Sequence, residues 1–183
     1  MMNIKSLRAT LSIICCSCFY VFSWDVYATQ QLCQTDNMLA TSPVIQFEQH
    51  DDGTVTDKNT GLMWQRCLVG QTGVDCAADA AKTFSWAEAL LYPGLKTGQS
   101  ALAGYQDWRL PNIRELASLV ELQCSNPAIN LTLFPNNGVG HLWSSSPYRF
   151  YPHYAWFLDF ADGIFIYGDR QYKKFVRLVR DVQ

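Results

Sequence analysis

The chain has 183 residues, with 14 basic and 16 acidic side chains and a formal charge of −2. Charged residues make up only 16% and aromatics 14%, which excludes a disordered polar chain and predicts a well-packed globule. A slightly acidic balance without a clustered basic surface also excludes an electrostatic nucleic-acid binder.

Residues 1–28 read as a secretory signal peptide. Lys5 and Arg8 come first, the apolar run LSIICCSCFYVFSW follows, and Val26 and Ala28 hold the small-residue positions before a cut after Ala28. The run is too short for a good membrane span. Cys15 and Cys16 ahead of Ser17 make a poor lipobox for anchoring through Cys18. Cleavage removes Lys5, Arg8 and Asp25 and moves the formal balance from −2 to −3. The expected product is secreted or periplasmic, with no transmembrane segment. Its length of roughly 155 residues suffices for one domain with its own core.

Four cysteines remain: Cys33, Cys67, Cys76 and Cys124. In an exported chain they predict two disulfides, with three possible connectivities. Cys67 and Cys76 bracket the turn-rich LVGQTGVD, which favours a local bridge Cys67–Cys76 and leaves Cys33–Cys124. Zinc is a poorer account, since no Cys-x-x-Cys pair exists and the histidines are scattered.

Residues 29–46 form an N-terminal lead. VIQFEQ then reads as a short strand, DDG as a turn, TVTD as a strand, KNTG as a turn and LMWQRC as a strand. Together they make an N-terminal β-hairpin. In FSWAEALLYPG, Ser85 and Glu88 form a capping box, and Pro93-Gly94 stops the helix. In LPNIRELASLVEL, Asn112 caps and Glu115 sits three residues on. Ile113, Leu116, Ala117 and Val120 give one apolar face, with Arg114, Ser118 and Glu121 opposite. Beyond residue 140 HLWSSSPY, YAWFLDF, IFIYG and FVRLVR read as strands. The fold class is therefore α+β, with two helices and a β-rich C-terminal half.

The ordered series DGTVTDKNTGLMWQRC, FSWAEAL, LAGYQDWRLPNIRELASLV, PAIN, LFPN, WSSSP, AWFLDFADG and VRLVR resembles the Lcl C-terminal domain family, named for the end domain of the Legionella collagen-like adhesin. The resemblant domain spans 47–181. The resemblance implies a C-type-lectin-like fold, an extracytoplasmic location and binding rather than catalysis. The named adhesin is associated with sulfated glycosaminoglycans and trimers, and this chain has no collagen-like stalk. Formylglycine-generating enzymes, in the same broad fold group, use paired cysteines in their C-terminal half; here none follows Cys124.

The aspartates of residues 51–57 fail as an EF-hand, because Thr56 and Leu62 stand where glycine and a carboxylate are needed. Glu-Pro-Asn and Gln-Pro-Asp sugar motifs are absent, so no metal or other cofactor is expected. Asp107, Arg109 and Glu115 read as an ion pair beside a helix cap. His141, Ser144 to Ser146 and Asp159 could compose a Ser-His-Asp site, but no Gly-x-Ser-x-Gly elbow exposes a serine. The best candidate surface combines SPYRFYPHYAWF with GDRQYKKF. Tyr148, Arg149, Tyr151, Tyr154, Arg170, Tyr172 and Lys173 offer aromatic faces for sugar rings and cations for sulfate or carboxylate. Trp156, Phe157 and Phe160 read as core, and Lys173 and Lys174 as solvated charges. The expected function is non-enzymatic recognition of a glycan, or of an envelope or extracellular protein, with an oligomer possible.

Overall fold

The computed structural model describes residues 30–95 and 102–182. The segment read as a signal peptide lies outside them. The lead carries β1 (Leu32–Cys33) and a 3-10 turn at Val44–Gln46, followed by β2 (Phe47–Gln49), β3 (Thr54–Asp57) and β4 (Leu62–Gln65). VIQFEQ is thus only half a strand. Pro43 starts the turn, and its carbonyl accepts from the amide of Gln46.

After β5 (Thr83–Phe84) comes α1 (Trp86–Leu91), and after it α2 (Ile113–Ala117). Both capping boxes form as the sequence predicts, Ser85 with Glu88 and Asn112 with Glu115. The second helix is shorter than its apolar spacing predicts. It ends at Ala117, and Val120 instead bridges to Ile129. Glu121 corrects the reading more sharply, because it is buried rather than on a solvated face. Its carboxylate accepts from the amides of Thr41 and Ser42 at 2.9 and 3.0 Å. That bond set ties the lead to the turn after α2. β6 (Cys124–Ser125) completes the strap by pairing with β1, where Cys33 faces Cys124 and is disulfide-bonded to it. The second bridge joins Cys67 to Cys76.

The C-terminal half supplies β7 (His141–Pro147), β8 (Tyr154–Asp159), β9 (Ile164–Asp169), β10 (Lys174–Phe175) and β11 (Val179–Asp181). Four strands make one sheet in the order β11-β4-β3-β2, and five make another, β5-β10-β7-β8-β9. The architecture is α+β, mostly strand with few helices. The last strand returns to the first hairpin, Val179 pairing with Trp64, so the ends of the domain close on each other.

All four residues of β4 are buried, which explains why Leu-Met-Trp-Gln shows no polar alternation. Its alternate side chains feed two cores. Trp64 packs with Val55, Leu116, Leu142, Leu158 and Phe160, while Met63 joins Trp143, Phe157, Val176 and Leu178. Arg177 is wholly buried over the Phe134 ring and donates to the carbonyls of Gln65 and Arg66 and to Asn137 Oδ1. No carboxylate pairs with it among the described residues, and burial pulls its pKa below the ordinary guanidinium value. It acts as a backbone clamp between the last strands and the end of β4.

The turn from β8 to β9 depends on Gly163. Its φ is +78°, and a Cβ there would lie 2.6 Å from Val120 Cγ1. Only glycine satisfies both the conformation and the space.

Candidate ligand-binding surface

The loop before β8 and the residues from β9 to Arg170 meet at one end of the five-stranded sheet, whereas Lys173 lines a cleft with Thr83, His141 and Asp159. β8 and β9 pair from Tyr154–Asp169 to Asp159–Ile164. The start of β8 therefore lies beside the end of β9, and the Arg170 amide donates to the His153 carbonyl at 2.9 Å. The loop before β8 is folded on itself: the Tyr148 amide donates to the Tyr154 carbonyl, and the Tyr154 amide to Tyr151.

This geometry gathers rings. Tyr148 stacks on Tyr167 with centroids 4.0 Å apart and planes 13° apart. Tyr151 lies 5.9 Å from Tyr148 and 5.7 Å from Tyr154. Trp156 meets both Tyr148 and Tyr167 edge-on. Tyr151 and Phe150 are exposed, whereas Tyr148 and Tyr154 are half-buried. Desolvation, then the phenols of Tyr167 and Tyr151, raise the Tyr148 pKa.

The cations divide into two kinds. Arg149 and Lys173 are exposed and make no ion pair among the described residues. Tyr172 is exposed beside them in sequence. Arg170, by contrast, is engaged. Its guanidinium sits 4.0 Å over the Trp86 ring and its Nε donates to the Tyr154 carbonyl. Trp86 in turn donates to the Ser144 carbonyl. Arg170 thus fixes the loop pair rather than projecting from it.

Lys174 is not the solvated charge expected. It is 6% exposed, its Nζ lies 3.7 Å from the Phe157 ring centroid and 3.3 Å from His141 Nδ1. Burial lowers its pKa, with Asp159 opposing. Trp156 also departs from the core reading, since it is only half-buried while Phe157 and Phe160 are buried. With Ile113, Arg114, Ala117 and Phe165 it lines a shallow apolar groove of about 350 Å³.

The other sites resolve into scaffold contacts. Arg109 pairs with Glu115 through two bonds of 2.7 and 2.8 Å, and Trp108 packs in the core. His141 meets Asp159 at 3.2 Å, but Ser144 spends its hydroxyl on the Trp156 carbonyl and Ser146 accepts from the Ile113 amide. In the hairpin, Asp52 accepts from Thr54, and buried Asp57 accepts from Gln46, Asn59 and Thr60. Those carboxylates organise turns. Among the described residues no group of three or more His, Cys, Asp or Glu is placed to hold a metal ion. A cleft of about 570 Å³ runs past this turn, between His50–Gly53 and Gln71–Val74.

Phe150, Phe165 and Tyr167 belong to the surface and were missed in the sequence. IFIYG has the signature of a buried strand, and nothing in it signals that all four of its large residues stay exposed.

A family model for the Lcl C-terminal domain matches residues 53–180, which includes β3 and β4, both helices and the whole aromatic surface. The chain belongs to the Lcl C-terminal domain family. No curated protein matches it. In this Lcl C-terminal domain the matched span leaves out Cys33, so the Cys33–Cys124 bridge fastens a preceding segment onto the family's domain. No helix among the described residues is long and apolar enough to cross a membrane.

Proposed function

We propose that the protein is an exported, non-enzymatic recognition domain of C-type-lectin-like fold, acting in the periplasm or outside the cell. Its ligand is a glycan carrying sulfate or carboxylate groups. The reading rests on one observation: Tyr148, Tyr151, Tyr154 and Tyr167 form a contiguous, partly exposed set of rings beside Arg149. Ring faces accept the C–H surfaces of a sugar, and the unpaired Arg149 and Lys173 supply charge-assisted bonds to anionic groups. Arg170, held on Trp86, positions these loops. Two disulfides suit a domain working outside a reducing compartment.

The test is an array of neutral and sulfated glycans probed with the mature chain and with Tyr151→Ala, alongside a pull-down from envelope extract. Binding to anionic glycans that Tyr151→Ala abolishes supports the reading. An empty array with a reproducible protein partner replaces it with a protein–protein module.

A further inference from the structure

His141 and Asp159 have a third partner, and it is an amine rather than a serine. His141 starts β7 and Asp159 ends β8, directly opposite each other in the ladder. The imidazole Nε2 meets Asp159 Oδ2 at 3.2 Å, and its Nδ1 meets Lys174 Nζ at 3.3 Å. An ammonium can only donate, so Nδ1 is the acceptor and Nε2 carries the hydrogen shared with Asp159. The carboxylate is itself fixed, since Asp159 Oδ1 accepts from the Ala161 amide. Carboxylate, imidazole and amine therefore form one hydrogen-bonded relay, in which the imidazole can take a proton from the amine.

Lys174 sits in a setting that disfavours charge. Its Nζ lies 3.7 Å from the Phe157 ring centroid and 5.0 Å from that of Trp143. It makes no ion pair among the described residues, and His141 is its one hydrogen-bond partner there. Burial favours the neutral amine, with Asp159 opposing. A neutral lysine amine is a nucleophile, whereas an ammonium is not.

The relay lies at a cleft of about 390 Å³ lined by Thr83, His141, Asp159, Lys173 and Lys174. The His141 side chain is 45% exposed, so solvent reaches the middle of the relay. Lys173 gives the cleft a cation without a carboxylate partner among the described residues. Asp159 and Tyr154 occupy opposite ends of β8, roughly 16 Å apart, so the cleft is separate from the ring surface.

We propose that Lys174 is a covalent capture site, whose amine forms an imine with an aldehyde or ketone carrying an anionic group that Lys173 holds. His141 takes a proton from the Lys174 ammonium, and the freed amine adds to the carbonyl carbon. The imidazolium then gives that proton to the departing hydroxyl, which leaves as water. A C=N bond replaces C=O, one water is released, the iminium keeps the single positive charge, and no electrons are exchanged. Such capture is independent of glycan recognition at the rings.

The experiment treats the mature chain with glyoxylate, an aldehyde bearing a carboxylate, and reduces any imine with cyanoborohydride. Peptide mass spectrometry then gives the rate at each lysine. Near neutral pH, Lys174 should be modified at least about tenfold faster than the exposed Lys58. That preference should fall roughly tenfold or more in His141→Gln. Lys173→Ala should lower it for glyoxylate but not for glycolaldehyde, a neutral aldehyde. Modification of Lys174 no faster than Lys58, or of Lys173 in its place, overturns the proposal. So does a preference that His141→Gln or Lys173→Ala leaves intact. Should either variant fail to fold, the wild-type ranking of Lys174 against Lys58, with glyoxylate and then with glycolaldehyde, decides alone.

Discussion

The rings of Tyr148 and Tyr167 stack 4.0 Å apart and 13° from parallel, one from the loop after β7 and the other from the edge strand β9. That contact fuses two separate segments into one surface, and it makes the surface partly rigid before any ligand arrives.

Substitutions at this surface should separate binding from stability. Tyr151→Ala removes an exposed ring and should weaken binding of a sulfated oligosaccharide roughly tenfold or more, with the thermal midpoint unchanged. Tyr148→Ala also removes the stack on Tyr167 and should lower stability by about 1 kcal/mol. Arg149→Ala and Lys173→Ala should flatten the salt dependence of binding. Calorimetric titration at two ionic strengths with parallel melting curves checks all four.

Glu121 makes stability acid-sensitive. Burial opposes its charge, but the amides of Thr41, Ser42 and Gln123 outweigh that and hold its pKa below the usual carboxylate value. A carboxyl lowered on folding stabilises above its unfolded value, and that contribution is lost as pH falls through its folded value. The melting temperature should therefore drop on acidification below about pH 4.5, the ordinary glutamate range. Glu121→Gln should lose about 1–3 kcal/mol at pH 7 and show a shallower drop.

Arg177 is a structural cation. Replacing it with Leu leaves the Gln65 and Arg66 carbonyls and Asn137 Oδ1 without their donor. The cost should be about 3 kcal/mol or more by urea unfolding, since each buried acceptor left without a donor costs about 1–3 kcal/mol. Arg177→Lys should recover little, since one ammonium cannot reproduce the planar fork.

The two disulfides should differ in weight. Cys33–Cys124 closes a span of 91 residues and Cys67–Cys76 one of 9. Loop entropy predicts losses of about 4–5 and about 2–3 kcal/mol for the respective double serine variants. Denaturant midpoints of C33S/C124S and C67S/C76S test the ranking, and the reverse order would refute the entropic account here.

What the sequence determined by itself was local chemistry. Ser85 with Glu88, Asn112 with Glu115, and the Asp-Gly and Asn-Thr-Gly turns act within a few residues, so the letters sufficed. Both disulfides follow from counting cysteines and from the short spacing of one pair. The motif order placed the family.

Only the tertiary structure decided which polar residues are buried and which apolar ones are exposed. Glu121 and Lys174 look like surface charges, until long-range amides satisfy one and aromatic rings cover the other. Ile164 to Tyr167 form an apolar run, but the sheet ends at β9 and each of them stays more than a third exposed. Burial is a property of what packs against a residue from far along the chain, and spacing within a segment does not contain it. The candidate surface was therefore half legible. Its loop tyrosines and exposed cations stand out by composition, whereas Tyr167 and the anchoring of Arg170 on Trp86 depend on which strands become neighbours.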